Sequence, residues 1–291
     1  MRARGPRPWR PYALAAALAL VASCIVGAAP AQTPLRFGIT PVFLVDQASF
    51  LEGLNRYLSE RLQRPVRFVR RKTYAEITDL LQNGELDAAW VCSFSYVFNR
   101  TSLRLVAIPV FRGEPYYQSY LIVHFSDITT QGYADLADRV FAFVDPRSNT
   151  GYLYPRYAIQ QLGEDPNRFF RDSFFTWSHP DSVHAVAERV ADAAAVDSYI
   201  WESLRLSQPA LTDRTRVVSG SKPFGFPPVV AGTLLSESER QRLAQILLAM
   251  HEDREGQRLL SLLHLDRFTP PRAEIYDGIA AMIESLLPLS E

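Results

Sequence analysis

The chain has 291 residues, with 31 Lys and Arg against 31 Asp and Glu, so its formal net charge is zero. That length accommodates two modest domains or one large one. The charge balance argues against a nucleic-acid partner, which selects a basic face, and the composition is that of an ordinary globular protein without low-complexity tracts.

Residues 1–31 stand apart. Arg2, Arg4, Arg7 and Arg10 form a basic start, Tyr12 to Ala29 is almost wholly apolar, and Ala29-Pro30-Ala31 is a small-residue site. This is the three-part layout of a secretory signal peptide. The apolar run is short for a transmembrane anchor. Val21-Ala22-Ser23-Cys24 also looks like a site where bacterial lipoprotein peptidases cut before Cys. Cleavage near Ala31 is preferred, because apolar residues continue past Cys24, and a lipid anchor on Cys24 stays open. A chain cut at Ala31 keeps only Cys92 and can form no internal disulfide. Cys92 ends the apolar run Ala88 to Cys92 and reads as a small buried residue rather than a catalytic thiol.

The elements then follow in order. Leu35 to Ile39 predicts a strand, Asp46 to Leu62 an amphipathic helix, and Val66 to Val69 a second strand. Tyr74 to Asn83 predicts a second helix stopped by Gly84, and Leu86 to Val91 a buried third strand. This βαβαβ pattern predicts a mostly parallel sheet covered by helices. Such sheets bind ligands at the carboxyl ends of their strands, so the residues after Ile39, Val69 and Val91 are cleft candidates. Strands are predicted at Leu105 to Phe111 and Tyr116 to His124. A second series follows: strand Val140 to Val144, helix Gly151 to Leu162, strand Arg171 to Thr176, helix Pro180 to Val190, and strands Ala193 to Val196 and Thr215 to Val218. The chain returns through Ser221 to Pro228 into an extended Val229 to Thr233. Ser236 with Glu239 fits a capping box at the head of a helix, and Glu274 to Leu286 predicts a last amphipathic helix. Two α/β lobes, residues 32–119 plus 228–291 and residues 120–227, are thus joined twice. Two crossings make a hinged clamshell with a ligand in its crevice.

The most informative stretch is Phe141 to Pro155. A buried strand ends in a turn at Asp145-Pro146, and Ser148-Asn149-Thr150-Gly151 opens a helix. A helix start leaves four N–H groups without intrahelical partners and carries partial positive charge, which suits an oxyanion. Ser148 and Thr150 add hydroxyl donors, and Gly151 would let a ligand approach the backbone. Plain helix capping by Ser148 or Asn149 is the other account of these residues.

These segments together resemble the periplasmic solute-binding proteins of phosphonate, phosphite and phosphate ABC importers. The resemblance runs from about Leu35 to Tyr276. It is carried by Leu86-Asp-Ala-Ala-Trp-Val-Cys-Ser-Phe-Ser-Tyr96, Tyr117-Gln-Ser-Tyr-Leu-Ile-Val123, Asp145 to Pro155, Ser178-His179, and Asp192-Ala-Ala-Ala-Val-Asp197. It implies an α/β type II periplasmic-binding fold and non-covalent capture of a phosphorus oxyanion. The family's Ser/Thr trio before Gly falls on Ser148, Asn149 and Thr150, with an amide in the middle place. A family His falls on His179, a crossover-strand Tyr on Tyr117, and a Tyr opening the second helix on Tyr74. Where phosphonate-specific members place a Glu, this chain has Tyr199, with Asp197 two residues earlier, and the family's later Asp falls on Pro227. Losing both carboxylates argues against an aminoalkyl phosphonate and leaves phosphate, phosphite, a methyl-type phosphonate or another, organic ligand. Asp197 could accept a proton from a monoprotonated oxyanion.

Tyr74 and Tyr117 would supply O–H donors, with ordinary packing as the alternative. Tyr96 follows the third strand and either faces the crevice or packs its wall. Ser93 and Ser95 are turn residues or cleft donors, and neither Arg147 nor Arg156 is placed against the ligand. Signs of an enzyme are poor. No nucleophile elbow surrounds Ser148, His179 and His184 lack the spacing of a zinc helix, and there is no P-loop, so no catalytic residue, metal or cofactor is expected. The chain is expected to act in the periplasm as a monomer, docking on the permease of an ABC importer. A ligand-sensing partner of a membrane sensor kinase and a periplasmic phosphoester hydrolase are the alternatives.

Overall fold

A computed structural model describes residues 33–40 and 48–286, together with residues 1, 2 and 5. The signal-peptide assignment and Cys24 lie outside the described residues. The first elements are β1 (Leu35–Ile39), α1 (Ala48–Leu62), β2 (Val66–Arg70), α2 (Tyr74–Gln82), β3 (Ala88–Trp90), α3 (Ser93–Phe98) and β4 (Arg104–Val110). Thr73 closes α2 with a reciprocal capping box, its hydroxyl taking the Glu76 N–H while Glu76 takes the Thr73 N–H. Gly84, at φ 71°, turns the chain out of α2 in the left-handed region that favours glycine. Ser93 and Ser95 lie inside α3 rather than in a turn.

The chain then crosses through β5 (Tyr116–Tyr117) into β6 (Ser119–His124), β7 (Val140–Phe143), α4 (Tyr154–Gln161), β8 (Asp172–Phe175), α5 (His179–Ala187), β9 (Ala193–Asp197), α6 (Ser198–Ser207), α7 (Pro209–Thr212) and β10 (Thr215–Gly220). It returns through β11 (Phe224–Gly225) to β12 (Val229–Ala231), α8 (Glu237–Leu248), α9 (Arg254–Leu262), β13 (Arg267–Thr269) and α10 (Asp277–Leu286). The helix expected from Gly151 instead begins as a π-helical turn over Asn149–Leu153, and α5 starts at His179, ahead of the expected Pro180. The Ser236–Glu239 capping box forms as its spacing predicts.

Two sheets result. One has the order β13-β4-β12-β3-β1-β2, the other β10-β6-β9-β7-β8. Strands β2, β1 and β3 run parallel in the first, and β8, β7 and β9 in the second. These central strands are buried on both faces, as Ala88, Ala89, Phe141, Ala142 and Ala193 to Ala195 show by their complete enclosure. The two crossing segments pair with each other, β5 against β11, with Tyr117 opposite Phe224. Tyr117 therefore sits on the ribbon that joins the two halves.

Further contacts bridge the halves. The Tyr199 hydroxyl donates to the Leu263 carbonyl (2.7 Å), and Arg112 pairs with Glu202 (3.0 Å). The last helix, α10, lies against both α3 and α4. Gln160 Nε2 donates to the Ser285 carbonyl (2.9 Å), and Ser285 Oγ donates back to Gln160 Oε1 (2.7 Å). Among the described residues, no helix is long and apolar enough to cross a membrane.

Candidate functional site

Five helix starts follow the carboxyl ends of the parallel strands: Tyr74 after β2, Ser93 after β3, Asn149 after β7, His179 after β8 and Ser198 after β9. Each presents N–H groups that lack intrahelical partners. Hydrogen bonds between distant parts of the chain show that these starts come together. The Tyr74 N–H donates to Asp145 Oδ2 (3.0 Å), and the Asn149 N–H to Cys92 Sγ (3.4 Å). Asn149 Nδ2 donates to Tyr117 Oη (3.0 Å), Ser119 Oγ to the Thr150 carbonyl (2.7 Å), and the Asp197 N–H to His179 Nδ1 (3.0 Å). Tyr74, Tyr117, Ser148, Asn149, Thr150, His179 and Asp197 are all buried in this polar seam.

Two enclosed side-chain atoms of the seam have no partner: Tyr74 Oη and Asn149 Oδ1. Ser95 Oγ, on α3, is likewise enclosed and unpartnered. Buried polar atoms are nearly always hydrogen-bonded, and those that are not mark strain, function or an absent ligand. Ser148 does what capping predicts, its Oγ accepting from the Gly151 N–H (3.1 Å). Gly151 is required for a different reason than ligand access. A Cβ there would overlap Val144, so glycine serves the packing of this turn on the end of β7.

Burial sets the protonation of the seam. His179 is pushed down to about 3 by burial, so its ring is neutral at pH 7. Because Nδ1 accepts from the Asp197 N–H, the proton sits on Nε2. Asp197 is pushed up to about 7 by burial, opposed by the N–H groups of Ile200 and Tyr199 that its Oδ1 accepts. Burial also raises Asp145, against hydrogen bonds from the N–H groups of Tyr74 and Arg147. The Cys92 thiol is raised by burial to about 12. Tyr74 and Tyr117 rise for the same reason, and Cys92, Asp145 and Asp197 act on Tyr74 through space. Chain direction into α5 is set by Trp177, held at φ 67° with its N–H on the Val144 carbonyl (2.7 Å).

Two expected ligand residues are placed differently. Tyr199 packs its ring against Phe111 and Phe226, and its hydroxyl is committed to Leu263. Tyr96 packs edge-on against Tyr276 (5.0 Å between centroids), the wall-packing alternative. Arg147 stacks over Phe98 (3.7 Å) and Arg156 over Tyr152 (5.1 Å). Asp145 and Cys92 are the participants that sequence reasoning missed. Asp145 read as a turn residue and Cys92 as core filler, although both follow strand ends, where a side chain can reach a helix start. Among the described residues, no group of His, Cys, Asp or Glu could hold a metal ion.

Two α/β halves with parallel centres, joined by a pair of crossing segments and meeting at a seam of helix starts, define a type II periplasmic-binding protein. Solved structures of that kind superpose closely. A binding-protein component of an ABC phosphonate transporter from Pseudomonas aeruginosa is 23% identical, with a TM-score of 0.80 over 89% of this chain and 88% of the other. PhnD1 from Prochlorococcus marinus, solved in complex with methylphosphonate, is 20% identical, with a TM-score of 0.78 over 87% and 98%. The chain belongs to the family of ABC transporter phosphonate periplasmic substrate-binding proteins, whose profile matches residues 37–276. It is also 27% identical to the phosphate-import protein PhnD of Mycolicibacterium smegmatis, over 65% of this chain and 66% of that one. The match therefore spans just under two thirds of that relative's length.

Proposed function

We propose that the chain is an exported solute-binding protein that encloses a small phosphorus oxyanion between its halves and delivers it to the permease of an ABC importer. The carrying observation is the buried seam at five helix starts, with Tyr74 Oη and Asn149 Oδ1 enclosed and unpartnered. In this proposal residues 32–119 plus 228–291 and residues 120–227 are the two lobes, and the ligand replaces water with Tyr74, Tyr117, Ser148, Asn149, Thr150 and His179. His179 Nε2–H is a donor by tautomer, and the turn at Asn149 offers the positive end of its peptide dipoles. Tyr96 and Tyr199 act through packing and closure. Family membership and the relatives' transport descriptions support this role.

The seam is proposed to bind without reaction. Ser148 accepts a capping hydrogen bond, and His179 turns Nδ1 toward a backbone amide instead of a nucleophile. The protein is proposed to work in the periplasm as a single chain, either free after cleavage near Ala31 or tethered through Cys24. Calorimetric titration with phosphate, phosphite and methylphosphonate tests the function. Heat of binding with at least one is expected, and silence from all three would refute oxyanion capture.

A further inference from the structure

Within this proposed oxyanion site the side-chain charges have an unexpected sign. Among the described residues no lysine or arginine is buried, whereas Asp145 and Asp197 are each 1% exposed. Asp145 takes the N–H groups of Tyr74 (3.0 Å) and Arg147 (2.7 Å), and Asp197 Oδ1 those of Tyr199 (2.8 Å) and Ile200 (3.4 Å). His179 is neutral, and the enclosed Tyr74, Tyr117 and Cys92 keep their protons. Glu76 and Arg147 act on Asp145 with opposite signs. A dianion would therefore meet two acidic side chains, both raised by burial, and neutral dipoles, with no buried cation to offset its second charge.

Asn149 gives an independent indication. Its backbone N–H is on Cys92 Sγ (3.4 Å), and its Nδ2 is on Tyr117 Oη (3.0 Å). Its Oδ1 is enclosed without a donor. An amide oxygen can only accept, so what completes it must bring a hydrogen. Of the two unpartnered atoms in the seam, Tyr74 Oη can donate to an anion, whereas Asn149 Oδ1 is an acceptor, the opposite of what a bare anion needs.

We propose that the site selects phosphorus oxyanions carrying a proton, taken as the monoanion, with the ligand's P–O–H group donating to Asn149 Oδ1. The other ligand oxygens accept from Tyr74 Oη–H and His179 Nε2–H. Above about pH 7, where it ionises, Asp197 keeps the seam hostile to a second ligand charge. This selection rests on the oxyanion reading of the site and adds to it a required protonation state.

The test is calorimetry on the full exported chain with methylphosphonate, phosphate, methanesulfonate and sulfate, at pH values below and above the second ionisation of methylphosphonate. Methylphosphonate and methanesulfonate have the same shape, but only the first carries a proton below that pH. Expected is a fall in methylphosphonate affinity of about tenfold per pH unit above that ionisation, as mass action on a single required proton dictates. Proton uptake should appear in buffers of different ionisation enthalpy. At the lower pH, methanesulfonate and sulfate should bind at least about a hundredfold more weakly, as when a buried polar group is left unpaired. Asn149→Ser, whose hydroxyl can also donate, should narrow the gap between methylphosphonate and methanesulfonate. Asp197→Asn should retain the proton uptake.

Equal binding of methanesulfonate and methylphosphonate, or affinity flat with pH, would overturn the protonated-ligand proposal and leave oxyanion capture standing. Loss of proton uptake in Asp197→Asn would assign the proton to the protein and overturn it too. An unchanged gap in Asn149→Ser would remove Asn149 from the selection. No heat with any of the four at either pH would overturn both proposals.

Discussion

The hydroxyl of Tyr199, on α6, donates to the carbonyl of Leu263, just past α9, at 2.7 Å. The ring that carries it is wedged against Phe111 and Phe226, so this contact joins the two halves through a hydroxyl that is not bonded to Asn149. Tyr199→Phe keeps the ring and deletes the bond. A net loss of about 0.5–1.5 kcal/mol is expected for the closed form. Affinity should fall by the same factor for every oxyanion that binds, as calorimetry would show. A loss confined to one ligand would instead put the hydroxyl against that ligand.

His179 and Asp197 predict opposite pH limbs of stability. His179 is held at about 3, below its ordinary 6.5, so its contribution is full above pH 6.5 and is lost as pH falls toward 3. Asp197 is held at about 7, above its ordinary 3.8, so its contribution is full below pH 3.8 and is lost as pH rises toward 7. In urea unfolding, Asp197→Asn should gain on the parent between pH 4 and 7, since it still caps α6 but cannot ionise. His179→Asn should lose less stability than the parent on going from pH 6.5 to 4.

The lack of room beside Val144 gives a third expectation. Gly151→Ala adds one methyl group to a filled space and should cost about 1–3 kcal/mol, typical of overpacking. Thermal unfolding would register this as a lower Tm without ligand. No loss would mean that Val144 can move aside freely.

Cys92 offers a reporter of closure. In this structure it is buried against the Asn149 N–H, and its thiol is raised to about 12. Thiolate is the reactive form, so labelling should be slow in the closed protein. In a chain carrying Cys24→Ser, modification by a thiol reagent should slow further when a bound oxyanion is present. A rate indifferent to ligand would separate Cys92 from the opening motion.

Much of the frame was legible from pattern alone. The alternation of short apolar runs with amphipathic helices placed the parallel strands, and the Ser236–Glu239 pair marked its helix start. Less visible were α3, whose six residues are too few to show a period, and α9, which was not foreseen. In the site, the resemblance pointed to Tyr74, Tyr117, His179 and the run at Ser148, and these come together in one seam. Asp145 and Cys92 escaped notice because their partners lie 71 and 57 residues away in sequence. No local rule predicts such pairings. Tyr117 and Tyr199 share a residue type and both lie against Phe226, but the Tyr199 hydroxyl donates to the Leu263 carbonyl and the Tyr117 hydroxyl accepts from Asn149, a distinction that only packing makes.

The absence of a buried basic side chain among the described residues bears on how a solute would arrive. Peptide dipoles act strongly at contact but fade within about one helical turn, and a chain cut at Ala31, having lost Arg2, Arg4, Arg7 and Arg10 with residues 1–31, carries 27 Lys and Arg against 31 Asp and Glu, a formal charge of −4. The net charge therefore exerts no long-range attraction on an anion, and raising the ionic strength should not slow association. Such a trap would discriminate at close range while recruiting by diffusion alone.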